Sequence, residues 1–165
     1  MPDSEVVIIG GGIAGASVAF HLARQGRRVT LLERGEIASE ASGQNMGGLG
    51  GVGWGHMPDL NSYLTMGSLE IFKSLQIDMG YDIEFRQSGS LTGIHTEQQY
   101  DYIRDRVLWL NSHGYEGELL TPREALAIEP EASPDLLGYM YAPMRGQADP
   151  MKSTRAFAEA SRIAG

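Results

Sequence analysis

Glu5 to Glu33, EVVIIGGGIAGASVAFHLARQGRRVTLLE, constrains this chain more than any other stretch. Residues 5–10 are a short apolar run ending in glycine, the pattern of a parallel strand buried on both faces. Gly10, Gly12 and Gly15 follow in the spacing G-x-G-x-x-G, and the helical pattern from Ile13 to residue 25 stops at Gly26. Each glycine has its own reason: Gly10 makes a tight turn, Gly12 lets a pyrophosphate approach the backbone, and Gly15 lets helix pack on strand. Gly11, Ile13 and Ala14 share that turn, where unpaired N–H groups and the positive end of the helix dipole face the same anion. Residues 28–33 read as the second strand, with Glu33 closing it about 20 residues beyond the first glycine. A carboxylate there accepts hydrogen bonds from ribose hydroxyls and repels a 2′-phosphate. Strand, helix and acid agree on a dinucleotide-binding βαβ unit, and they leave NAD and FAD both open.

The next stretch, residues 35–57, is a long loop dense in small residues where a simple NAD-binding domain would soon start another helix. Ser39, Ser42, Gln44 and Asn45 offer hydroxyl and amide groups, while Gly43, Gly47, Gly48, Gly50 and Gly51 let backbone approach something large and flat. Loops of this length in compact chains are functional or disordered, so a Gly-rich linker is the competing reading. Trp54 and His56 follow, where a substrate could meet a bound ring, although a loop tryptophan also packs and a loop histidine is more often a surface residue.

GGGIAGASVAFHLA, then LLER, then ASEASGQNMGG resembles the amino-terminal part of the FAD-dependent amino acid and amine oxidases, the group of D-amino acid oxidase, glycine oxidase and the beta-type sarcosine oxidases. The resemblance implies that Glu33 binds the adenosine ribose, that Arg34 borders the adenine, and that Ser39, Ser42, Gly43, Gln44, Asn45, Gly47 and Gly48 line the flavin. Gln44 stands where the family commonly has arginine. Relatives that attach flavin covalently in this loop use a histidine; none stands between Gly35 and Gly55 and the chain has no cysteine, so the implied FAD is non-covalent. The implied chemistry is oxidation of a C–N bond in an amino acid or secondary amine, by hydride transfer to flavin N5 and hydrolysis of the resulting imine. No catalytic side chain is identifiable. Arg86 and Arg145 are candidates for holding a substrate carboxylate.

Beyond residue 60 the chain alternates helix and strand signals. A helix is expected over 61–79, strands at 83–85 and 90–94, and a helix after the Thr96–Gln99 capping box with Tyr100, Ile103, Val107 and Leu110 as its buried stripe. Thr121, Pro122 and Glu124 start a short helix to Ile128, residues 136–143 read as a strand, and Asp149 with Pro150 opens the last helix. DIEFRQSGSL and GQADP in this part are similar to the beta-type sarcosine oxidases. The expected fold is α/β: an FAD-binding Rossmann-like βαβ domain with its flavin loop over 1–60, part of an α+β substrate domain over 61–148, and a helix over 149–165 returning to the first domain. Two strands do not make a stable doubly wound sheet, so a carboxy-terminal half or a partner subunit is expected to complete it.

Charge and composition narrow the alternatives. With 13 Lys and Arg against 21 Asp and Glu, a net charge of −8 and no basic cluster, nucleic acid and anionic membrane are poor partners. Val6 to Phe20 carries no charge, but the acidic residues before it and the glycines within it do not suit a signal peptide, and the run is short for a membrane span. The absence of cysteine fits a reducing cytoplasm, and no metal site is expected. Two other functions remain open at this stage: a non-catalytic FAD-binding fragment or assembly subunit, and an NAD-dependent dehydrogenase.

Overall fold

The computed structural model describes residues 4–50 and 60–164. In chain order the elements are β1 (Val6–Ile9), α1 (Ile13–Arg24), β2 (Val29–Leu32), a short 3-10 turn (Ala41–Gly43), β3 (Gly48–Leu49), α2 (Leu60–Ile77), β4 (Leu91–Ile94), α3 (Glu97–Ser112), β5 (Glu118–Leu120), α4 (Pro122–Ile128), β6 (Gly138–Tyr141), β7 (Gly146–Gln147) and α5 (Pro150–Ala164). They form two compact units. One is built on Met1–Gly47, Glu70–Phe85 and Gln147–Gly165, the other on Gly48–Leu69 and Arg86–Gly146.

In the first unit β1 and β2 pair in parallel, from Val6 opposite Val29 to Ile9 opposite Leu32. Helix α1 connects them and ends as the sequence predicts: Gly26, at φ +77°, donates to Ala23, and Arg27 donates to Leu22. That pair of bonds satisfies carbonyls the helix would otherwise leave open. Ala16, Ala19, Phe20 and Ala23 form the buried stripe of α1. Against it lies α5, whose Ala156, Phe157 and Ala160 are buried together with Ser153 and Thr154. The small side chains let the helices approach closely, and Phe157 meets both Phe20 and Phe72 edge-on at 5.3 Å. The buried hydroxyls are satisfied within the helix, Ser153 donating to the Asp149 carbonyl and Thr154 to that of Pro150. Asp149 caps α5 by accepting from the Lys152 amide at 2.7 Å.

No strand forms at 83–85. The Ile83 carbonyl is taken by the Asp149 amide, and the carboxamide of Gln76 holds both the amide and the carbonyl of Phe85. These backbone groups have side-chain and loop partners in place of a ladder.

The second unit contains an antiparallel sheet in the order β4-β6-β5. Leu91 lies opposite Tyr141 on one side of β6, and Leu120 opposite Tyr139 on the other. β4 and β6 form within the strands expected at 90–94 and 136–143; β5, only three residues long, carried no sequence signal. Helix α3 starts at Thr96, whose hydroxyl accepts from the Gln99 amide, and α4 at Thr121 with a full capping box to Glu124. Ile103, Val107 and Leu110 are buried as predicted, Tyr100 is half-buried, and Arg106, outside the expected stripe, is buried at 2% exposure. Its guanidinium donates to the Ser62 hydroxyl at 2.9 Å and lies 4.9 Å from the centre of the Trp109 ring.

Candidate dinucleotide site

The glycines of the fingerprint can be assigned from what a side chain would meet. Gly10 has φ +108° and open space beside it, so it is the turn. At Gly15 a Cβ would lie 2.0 Å from the Gly10 carbonyl oxygen and 3.3 Å from the Ile8 side chain, which fixes it as the point of closest approach between α1 and the strand. A Cβ at Gly12 would come to 2.9 Å from the Ser42 hydroxyl.

Helix α1 begins at Ile13 with no side chain of its own as a cap and no acidic residue in its first turn. Its positive end therefore meets no acid from the helix itself. The Ser42 hydroxyl, from the loop beyond β2, accepts from the Ile13 amide at 3.0 Å. Ala14 is exposed, and the Gly11 carbonyl accepts from the Ala38 amide. Residues 10–15 and the loop beyond β2, through 33–38 and 42, thus meet at one helix end.

Glu33 closes the other side. One carboxylate oxygen accepts from the Gly11 amide at 2.6 Å and the other from the Gly35 amide at 2.8 Å. These N–H groups, Gly11 first, hold its carboxyl below the usual carboxylate range, so it is anionic at neutral pH. Each oxygen keeps a further lone pair that a ribose hydroxyl could use. Arg34 points outward, 88% exposed, and its nearest acid is Glu40 at 3.5 Å.

The rest of the loop is held mainly by its own polar groups. Gln44 donates to the Ser39 carbonyl, while Asn45 donates to those of Ala41 and Ser42 and accepts from the Gly47 amide. Asn45 thus has both polar atoms, and Gln44 its Nε2, engaged in shaping the loop. Gly43 and Gly47 have steric reasons of the same kind: a Cβ would lie 2.0 Å from the Ala38 oxygen at the first and 1.9 Å from the Ala148 oxygen at the second. Ser39 and Gly48 are exposed. Trp54 and His56 lie outside the described residues. Among the described residues no His, Cys, Asp or Glu cluster could hold a metal, and no helix is long and apolar enough to cross a membrane.

Residues 5–165 match the family model described as FAD dependent oxidoreductase. Dimethylglycine dehydrogenase of Rattus norvegicus is 31% identical over 173 residues, which covers 98% of this chain and 19% of that protein. Glycine oxidase of Geobacillus kaustophilus is 31% identical over 166 residues, covering 98% and 44%. The crystal structure of glycine oxidase from that organism superposes with a TM-score of 0.82 over 98% of this chain and 45% of that one, at 30% identity. A pyruvate dehydrogenase phosphatase regulatory subunit of Mus musculus is 28% identical over 143 residues, covering 86% and 16%. The chain thus spans less than half the length of these relatives.

Proposed function

Because the chain belongs to the FAD dependent oxidoreductase family, whose cofactor is FAD, we propose that it forms the nucleotide-binding part of an enzyme that oxidises the C–N bond of a small amino acid or secondary amine. The observation that carries this reading is the junction at the start of α1. A helix end without a cap or acid of its own, open space at Gly10 and the anionic Glu33 meet at one short turn. That donor set suits a dinucleotide in both parts: N–H groups for the diphosphate and a carboxylate for the adenosine ribose.

On this reading the turn from Gly10 to Ile13 wraps the diphosphate with the Gly12 and Ala14 amides as its donors, because those of Gly10, Gly11 and Ile13 are already given to Leu32, Glu33 and Ser42; Glu33 takes the ribose, and the loop from Ser39 to Gly48 lies toward the flavin. Bound FAD would supply the hydride acceptor. The chain's part is to bind and orient: Glu33 fixes the adenosine end, and the Ser42 hydroxyl, accepting from Ile13, ties the loop to the helix that faces the diphosphate. No group here need act as acid or base. Non-covalent attachment and a cytoplasmic location belong to the same proposal, as does a further stretch of polypeptide or a partner subunit to complete the substrate site.

A second reading, a non-catalytic FAD-binding subunit, is favoured by the likeness to a protein named as a regulatory subunit. One experiment separates the two. The purified chain is expected to be yellow and to release FAD on acid denaturation, and once the polypeptide or partner that completes the substrate site is present, the visible absorbance should bleach on anaerobic addition of sarcosine, glycine, proline or a D-amino acid. Colour without bleaching by any of these would favour the regulatory reading, and a colourless chain with no uptake of added FAD would refute both.

A further inference from the structure

The trailing end of the flavin-side loop is held from a place the nucleotide fingerprint does not reach. Met46 is 87% exposed, so no apolar packing fixes it. Its carbonyl instead accepts from the side-chain amide of Gln147 at 2.9 Å, across 101 residues of chain. The next residue, Gly47, at φ +68°, offers its own carbonyl to the Ala148 amide at 3.0 Å. Asp149 then gives its amide to the Ile83 carbonyl and caps α5. Residues 46–47 are therefore fastened to the segment leading into α5, whose other face is packed on α1 through Phe20 and Phe157.

Two features separate a latch from an incidental surface contact. The loop is already folded at its leading end, where Gln44 reaches the Ser39 carbonyl and Asn45 those of Ala41 and Ser42, so Gln147 acts at a carbonyl beyond their reach. The passage is also too tight for any residue but glycine at position 47, because a Cβ there would fall 1.9 Å from the Ala148 oxygen.

We propose that Gln147 is a positioning residue for the cofactor: by donating to the Met46 carbonyl it holds residues 46–47 on the α5 lead-in, in the conformation that receives the flavin. This rests on the FAD reading above. It assigns Gln147 no contact with substrate.

The test compares wild-type chain with Gln147→Ala and Gln147→Glu. The glutamate variant keeps the shape but loses the donor, so at neutral pH it sets an acceptor against an acceptor. Three quantities are measured: FAD affinity by titration, amide hydrogen exchange at Gly47 and Ala148 in FAD-free protein, and the thermal midpoint. Both variants are expected to bind FAD about 2- to 10-fold more weakly, the range of one ordinary hydrogen bond. Exchange at the two amides should quicken by a similar factor, with exchange in α1 and the thermal midpoint unchanged. If wild type takes up FAD and the glutamate variant matches it in affinity and exchange, the proposal is overturned. It is overturned equally if exchange quickens while affinity stays the same. A wild-type chain that takes up no FAD instead defeats the cofactor reading, and the positioning role falls with it.

Discussion

At the scale of the residue, Glu33 does two things that a sequence shows only as one. Position alone marks it as a ribose ligand at the end of the second strand. The structure adds that its carboxylate already ties the fingerprint turn at Gly11 to its own turn at Gly35. These amides lower its pKa in the folded chain. A carboxylate with a lowered folded-state value stabilises the fold above its unfolded value, and the contribution is lost as pH falls through the folded one. Glu33→Gln replaces one acceptor oxygen with an NH₂ that faces an N–H. The variant is therefore expected to unfold at lower urea concentration than wild type at neutral pH, with the gap closing as pH drops below the ordinary glutamate range. FAD affinity should fall roughly tenfold or more, since charged hydrogen bonds are the stronger class. A gap in urea midpoint that stays constant with pH would show that the charge is not involved. Other residues were less legible. Gly43 and Gly47 read as room for a flat ring, yet the atoms that forbid a Cβ there belong to Ala38 and Ala148. For Gly47 that neighbour lies too far along the chain for any local pattern to reveal it.

At the scale of the element, the parts legible in sequence are those whose cause is local. The stop of α1 at Gly26, the Thr121–Glu124 capping box and the Asp149 cap each depend on residues within a turn of one another, and all three form. The parts that were not legible have distant causes. Phe85 is kept out of a strand by Gln76, and Arg106 is buried beside an apolar stripe because Ser62 and Trp109 receive it. Helix α5 is the clearest case of an element whose worth is set by its partner. Phe157, at 2% exposure, is the side chain through which α5 meets both α1 and α2. Phe157→Ala is expected to cost about 3–5 kcal/mol, the range for deleting a buried aromatic side chain. Urea denaturation would measure it. A loss under about 1 kcal/mol would mean that α5 is not a structural part of the βαβ unit.

At the scale of the whole molecule, the parallel pair β1–β2 is a sheet covered on one face. Gly15 sets α1 against Ile8, and on the opposite face Val7, Ile9 and Leu32 are 56%, 87% and 51% exposed. Parallel strands are ordinarily covered on both sides, and these residues have the apolar sequence that such burial demands. The pattern was visible from the start, since VVII and VTLL lack the polar alternation of a half-solvated strand. What the sequence did not show is that only the Val6 and Ile8 side has its cover among the described residues. The two faces should then respond differently to the same change. Ile9→Ser removes a side chain that this chain leaves in water, so its stability is expected to change by less than about 0.5 kcal/mol. Its binding of an apolar dye should fall, because the exposed patch shrinks. Ile8→Ser, on the face toward α1, is expected to cost about 1–3 kcal/mol, from lost packing and from a hydroxyl left without a defined partner. Urea midpoints and dye fluorescence on the two variants decide it. Equal losses from both would mean that the Ile9 face is already covered in solution, as it would be if two copies of the chain paired through it.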